Sequence, residues 1–330
     1  MKRILTGDRP TGKLHIGHLI GSLGNRIKLQ NEYDTFIIVA DFQVLTDRKD
    51  TAKIEENIIE ITKDYLAAGI DPKKTTIFIQ SHIPALSELY QILSNVVTVS
   101  RVKRNPTVKE ELKAAHIDEA NMSLAMFSYP VSQAADILGF KANLVPVGED
   151  QIPHIEQTRE VARTFNKTYG AVFPEPEALL SPAPRILGLD GKAKMSKSLG
   201  NTIMLSDTPD EIRSKFKKAV TDSGREIYFD KEHKPEISNL LTIFSFFSAK
   251  KISELEKEFK EASYSEFKAA IAEELVDKLS ELQKKRTEIS ESEVKEVLKK
   301  GTLKSAEIVN DTLKEVRKTM QLDYPKIFGS

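Results

Sequence analysis

Phe36-Ile37-Ile38-Val39-Ala40 is an unbroken apolar run of strand length, and it narrows the choice of fold more than any other feature of the chain. A strand that is wet on one face alternates polar and apolar side chains. A strand with no polar member is buried on both faces, as in the interior of a parallel sheet. The surrounding segments fit that arrangement. Arg3 to Thr6 reads as a first strand, followed by the turn-rich Gly7-Asp8-Arg9-Pro10-Thr11-Gly12. Leu14 to about Gln30 reads as a helix, with Leu19, Leu23 and Ile27 at near four-residue spacing. A second helix, about Ala52 to Ala68, stops at Gly69 with Pro72 beyond, a normal helix exit. Thr75 to Gln80 is a third strand. Strands alternating with helices predict an α/β fold, a Rossmann-like doubly wound parallel sheet whose ligands sit at the carboxyl ends of the strands.

Past Gly200 the composition shifts. Thr208-Pro209-Asp210-Glu211 reads as a helix start, with a Thr cap, Pro at the first position and Glu three residues after the cap. Segments 251–262, 265–285, 291–299 and 304–321 are rich in Lys, Glu and Leu, and Phe267, Ile271, Leu275, Leu279 and Leu282 recur at helical spacing. The charges read as a solvated face and the apolar stripe as core. The expected division is an α/β domain over 1–200 and a C-terminal helical domain over 201–330.

The chain is long enough for both, at 330 residues with 40% hydrophobic content. Its 49 basic residues balance 49 acidic ones, so contact with a nucleic acid would need a local basic face. With no cysteine, disulfides and Cys-containing zinc sites are excluded, and the six histidines show no HExxH spacing. No run approaches the roughly 18 apolar residues of a membrane span, and the N-terminus enters a strand without a signal-peptide core. The expected setting is the cytoplasm, away from membranes.

Two peptides carry the chemistry. His15-Ile16-Gly17-His18 falls at the predicted start of the first helix, and Lys194-Met195-Ser196-Lys197-Ser198 lies near the end of the α/β region. Each has an ordinary reading by itself: histidines at a helix start often cap it, and a lysine-serine stretch is often an exposed loop. Together they suit a site that holds a triphosphate and stabilises the charge developing at its α-phosphate. Imidazole donors at a helix start, beside a glycine that admits a close approach, serve one side of a nucleotide. A loop with two lysines and two hydroxyls serves the phosphates. In this order the peptides resemble the two ATP-handling motifs of class I aminoacyl-tRNA synthetases.

The resemblance extends over essentially the whole chain. Thr6 to His18, Arg104-Asn105-Pro106-Thr107-Val108-Lys109, Tyr129-Pro130-Val131-Ser132-Gln133-Ala134-Ala135-Asp136-Ile137 and Val145 to Gln151 are similar to bacterial tryptophanyl-tRNA synthetases. Related forms of several of these stretches occur in tyrosyl-tRNA synthetases, which stand as the alternative. Val220-Thr221-Asp222-Ser223, Lys234 to Leu241 and Val316 to Met320 favour tryptophan. The resemblance implies that His15, His18, Lys194 and Lys197 are catalytic. It implies an ATP site built from Arg9, Pro10, Thr11, Gly17, His18, Gly148, Glu149, Asp150, Ile186 and Leu187 with Lys194 to Ser198. Within it, Gly148 to Asp150 would meet the ribose, and the backbone of Ile186 and Leu187 the adenine edge. Asp136 would accept a hydrogen bond from the indole N–H, with Gln133 beside the ring and Tyr129 and Gln151 on the α-amino group. Two positions depart from the usual family pattern. Arg9 replaces a common Gln and would reach the substrate carboxylate or a phosphate; Gln133 replaces a common Met and is shared with tyrosine-type enzymes.

Asp136 also stands out unaided, because a carboxylate among Ala134, Ala135, Ile137 and Leu138 needs a partner. That partner would be a ligand, a neighbouring helix end or a core arginine. By resemblance, ATP is a substrate carrying Mg²⁺ on its phosphates, with no metal held by the protein, and the other partners are L-tryptophan, tRNA(Trp) and a second copy of the chain. Rivals of another kind are a small-molecule nucleotidyltransferase and a non-catalytic RNA-binding paralogue. The helical domain and later matches speak against the first, the two intact motifs against the second.

Overall fold

The computed structural model describes residues 1–46, 49–114, 118, 121–180 and 186–329, with backbone alone at 111–114 and 198. Five strands, β1 (Arg3–Asp8), β2 (Asp34–Val39), β3 (Thr75–Ile79), β4 (Leu144–Val147) and β5 (Glu177–Leu180), form one sheet in the order β3-β2-β1-β4-β5. Every pairing is parallel. Between β1 and β2 run α1 (Ile16–His18), a π-helical turn (Leu19–Leu23) and α2 (Gly24–Leu29). Then α3 (Ile54–Ala68) leads to β3, and α4 (Pro84–Leu93), α5 (Val99–Lys103), α6 (Pro106–Ala114) and α7 (Leu124–Gly139) lead to β4. Helix α8 (Ile152–Tyr169) precedes β5. The remainder is helical: α9 (Pro209–Lys218), α10 (Pro235–Ser248), α11 (Ile252–Glu258), α12 (Tyr264–Glu288), α13 (Glu291–Thr319) and α14 (Pro325–Phe328).

The apolar run behaves as its composition demands. Ile37 and Val39 enter one core with α3 and helices α9 to α12, while Phe36 and Ile38 enter the other with α4, α7 and α8. Period-two alternation thus feeds two apolar layers from one strand. The stripe Phe267, Ile271, Leu275, Leu279 and Leu282 is buried in the first core. At α9, Thr208 accepts from the Glu211 backbone and the Glu211 side chain answers the Thr208 N–H, the expected capping box.

Three expectations need adjusting. The first strand extends to Asp8, because β1 pairs with β2 through Asp8 and Val39. The first helix begins at Ile16 and carries a π-helical turn. Segments 291–299 and 304–321 form a single helix, Glu291–Thr319. The glycine at their junction does not break it: a Cβ on Gly301 would stand 1.9 Å from Ile77 O, so glycine lets α13 lie directly on β3. Thr302 Oγ1 accepts from Ile79 N, and Lys304 Nζ donates to Thr76 Oγ1. Val309, Leu313 and Val316 of the same helix complete the second core.

Candidate active site

Strand order reverses at β1, and the carboxyl ends of the strands on either side of that point carry the residues singled out by sequence. Past β1 the chain turns through Gly12, at φ +103°, and His15 caps α1. His15 N–H donates to His18 Nδ1 at 3.3 Å, and His18 N–H returns to His15 O at 2.9 Å. Since His18 Nδ1 accepts, the proton of its neutral ring is on Nε2. The two rings lie 3.9 Å apart. Burial pushes the His15 pKa down to about 3, helped by His18, Lys197 and Lys194. Burial likewise lowers His18 to about 4, against the opposing charge of Asp8. At neutral pH both are uncharged donors. Gly17 keeps room for this fold-back, since a Cβ there would stand 2.9 Å from His15 Nδ1 and 3.4 Å from Met195 Cβ.

A buried ionic cluster underlies the pair. Arg26, 4% exposed, donates to both Asp8 oxygens and to Gly7 O, and Tyr65 Oη donates to Asp8 Oδ2 at 2.6 Å. Burial alone would raise the Asp8 carboxyl; Arg26, with His18 and Tyr65, holds it well below the usual range. A second buried carboxylate, Asp64, accepts from Leu14 N at 2.7 Å and from Arg286 Nε at 2.7 Å. The approach to His15 is thereby fixed from α3 and α12.

The lysine loop reaches the same place. Leu187 and Lys194 pair as an antiparallel bridge, and His15 pairs with Met204 beyond the loop. Ile16 N donates to Ile203 O, and Leu205 N to Leu14 O. Met195 is buried, anchoring the loop in the first core, while Lys194 is exposed. Lys197 Nζ donates to Thr11 O at 3.0 Å, joining the loop to the Gly7–Gly12 turn. Asn201 accepts from Ser196 N and donates to Asp190 Oδ2, bracing the loop from within. The side chain of Ser198 lies outside the described residues. Leu187 N–H donates to Asn239 Oδ1, and Leu187 O accepts from Asn239 Nδ2; Ile186 O accepts from Met195 N.

Tyr129, Gln133 and Asp136 fall on one face of α7 by their i, i+4, i+7 spacing. Asp136 is 4% exposed, and Gln80 Nε2 donates to both of its oxygens, at 3.0 and 2.8 Å. Its partner is therefore a glutamine just past β3, neither an arginine nor a helix end. Burial lifts the Asp136 pKa to about 7; the Gln80 bonds pull it down and the nearby Asp41 charge pushes it up. Tyr129 Oη meets His154 Nε2 at 2.9 Å. Gln151 Nε2 donates to the adjacent Asp150 Oδ2, and Gly148 and Asp150 sit just past β4 with Glu149 exposed. Arg9 and Pro10 lie in the turn after β1, with Thr11 N donating to Arg9 O.

Sequence reasoning gave no role to Gln80, Asn105, His154, Asn201 or Asn239. Each is a single polar residue whose partner is distant in the chain or belongs to a loop. For Gln80 and His154 the available signal was a polar side chain at the end of a buried strand or on the apolar side of a helix.

Comparison with known proteins follows the same lines. The family model of class I tRNA synthetases (W and Y) matches residues 1–280. The tryptophan–tRNA ligase of Clostridium longisporum is 45% identical, covering 97% of each chain. The crystal structure of tryptophanyl-tRNA synthetase from Mycoplasma pneumoniae superposes with a TM-score of 0.90 at 28% identity, over 99% of both chains. That from Campylobacter jejuni, complexed with ADP and tryptophan, gives 0.83 at 31% identity over 97% of this chain and 99% of that one. With its sheet order, its paired ATP-type motifs and these matches, the chain belongs to the class I tRNA synthetases of the tryptophan and tyrosine type.

Proposed function

We propose that this protein activates L-tryptophan with ATP and transfers it to tRNA(Trp). The observation that limits the amino acid to one with a side-chain donor, as in tryptophan or tyrosine, is Asp136, a buried carboxylate at the carboxyl edge of the sheet. A buried acceptor rejects an amino acid with no matching donor by about 10⁴ to 10⁵. The names of the similar ligases, and the tryptophan and ADP in the Campylobacter jejuni structure, support tryptophan over tyrosine.

In the first step the tryptophan carboxylate attacks the α-phosphorus in line, the bond to the bridging oxygen breaks, and pyrophosphate leaves. In the second, a ribose hydroxyl at the tRNA 3′ end attacks the acyl carbonyl and AMP departs. The substrates supply the nucleophiles, so the protein contributes position and charge. Neutral His15 and His18 donate to the phosphates from one side, Lys194 and Lys197 from the other. Lys197 exchanges Thr11 O for a phosphate oxygen as the loop engages. Arg9, Pro10, Thr11 and Gly17 line the nucleotide on the β1 side, and Gly148, Glu149 and Asp150 meet the ribose. Ile186 and Leu187 flank the adenine, with Asn239 holding the Leu187 backbone in place. Tyr129 and Gln151 take the α-amino group and Gln133 packs beside the indole. Among the described residues no group of three or more His, Asp or Glu side chains is placed to hold a metal, and we assign Mg²⁺ to the phosphates themselves.

The helices beyond residue 200 are the proposed tRNA-facing region, and a homodimer in the cytoplasm is the proposed working form. Among the described residues no helix is long and apolar enough to cross a membrane. The test is charging of tRNA(Trp) and tRNA(Tyr) transcripts with labelled tryptophan and tyrosine. Label should enter only the tryptophan–tRNA(Trp) pair; tyrosine on tRNA(Tyr) would overturn the assignment.

A further inference from the structure

Behind Tyr129 runs a chain of hydrogen bonds whose direction is set by the backbone. Thr107 N–H donates to Asn105 Oδ1 at 3.1 Å. A backbone amide is always a donor, so this bond fixes which end of the Asn105 amide is oxygen. Asn105 Nδ2 then donates twice, to Gln157 Oε1 at 2.8 Å and to His154 Nδ1 at 3.1 Å. With Nδ1 accepting, the ring proton of neutral His154 is on Nε2, 2.9 Å from Tyr129 Oη. Asn105 and Gln157 are fully buried and His154 is 1% exposed. Burial holds His154 down at about 4, against the Asp150 charge, so the uncharged ring persists at neutral pH. Thr107 Oγ1 also donates to Asp150 O at 2.9 Å, tying the same junction to the segment past β4.

An all-apolar filling of this space would avoid burying three polar side chains, one of which, Gln157, keeps its Nε2 without a partner among the described residues. The network delivers one oriented donor to a half-buried tyrosine that shares a helix face with Gln133 and Asp136. We propose that His154, oriented by Asn105, is a positioning residue for amino-acid recognition, its Nε2–H fixing the Tyr129 phenol against the backbone groups of the substrate. This rests on Tyr129 contacting the substrate, as argued above.

The test is a double-mutant cycle read by tryptophan-dependent pyrophosphate exchange. His154→Ala should raise the tryptophan KM about tenfold, the scale of one lost oriented hydrogen bond, with the ATP KM within about twofold. In a Tyr129→Phe background the same substitution should add less than about twofold. His154→Gln, whose amide can donate from nearly the same point, should recover most of the loss. Long-range ¹⁵N correlation spectra of the wild-type protein should show His154 as the Nε2–H tautomer at pH 7; this stands even if His154→Ala fails to fold. An Nδ1–H or protonated ring overturns the proposal, and so does a His154 loss that persists undiminished beside Tyr129→Phe. A Tyr129→Phe variant with normal tryptophan KM also overturns it, by removing Tyr129 from the substrate. Absence of tryptophan-dependent exchange in the wild type overturns it too, and alone of these outcomes removes the proposed function.

Discussion

Asp136 is a carboxylate among alanines and aliphatic side chains, and in the role proposed for it ionisation decides whether it can accept from an indole N–H. Burial raises its pKa to about 7, with Gln80 opposing and Asp41 adding to the rise. Only the ionised form accepts without competition from its own proton. Lowering the pH through 7 should therefore raise the tryptophan KM, approaching about tenfold per pH unit well below it. His15, His18 and His154, held at about 3 to 4, stay uncharged over most of that window and leave the ATP KM nearly level. Steady-state constants from pH 5.5 to 8 check this; a flat tryptophan profile contradicts it. Asp136→Ala should cost about 2–5 kcal/mol in tryptophan activation with ATP binding retained. Gln133→Met should keep activation within about tenfold, since exchange of similar volumes usually costs under ~1.5 kcal/mol; pyrophosphate exchange with tryptophan measures both. Asp136 was legible because a lone acid in an apolar helix is conspicuous. Gln80 was not, because its partner lies 56 positions away, and single-sequence patterns carry no record of distant contacts.

At the scale of elements, the loop Lys194 to Ser198 begins at the Leu187–Lys194 bridge, which closes a hairpin over residues 188–193, and is braced by Asn201. Its lysines act best on charge that develops late, so Lys197→Ala should slow the adenylate burst while leaving tryptophan affinity nearly unchanged. Rapid-quench measurement of the burst decides: a normal burst with weakened tryptophan binding would remove Lys197 from the phosphates. Helix α13 makes a different kind of prediction. Gly301→Ala places a methyl group against Ile77 O, so α13 must lift from β3 at about 1–3 kcal/mol or more. Denaturant titration should show that loss; an unchanged midpoint would mean that the close approach is unnecessary. The capping box of α9 was readable from four consecutive residues. The continuity of α13 was not, because a glycine that admits a neighbouring backbone looks in sequence like one that ends a helix.

In the whole molecule, the helical half holds the nucleotide motifs in register. On adjacent turns of α12, Gln283 Nε2 donates to Leu205 O and Asp207 O, while Arg286 bonds Asp64 and Glu60 on α3. Asp64 in turn accepts from Leu14 N, and Leu205 N donates to Leu14 O. One helix thus braces the segments leading into His15 and out of the lysine loop. The parallel sheet and both motifs followed from local pattern; this bracing, made between residues 50 or more positions apart, did not. The account as a whole asserts a site that forms an adenylate with tryptophan. Exchange of labelled pyrophosphate into ATP, run with the purified protein and each amino acid in turn, tests it most directly. Exchange with tryptophan alone is the predicted result; exchange driven by tyrosine, or by no amino acid, would contradict it.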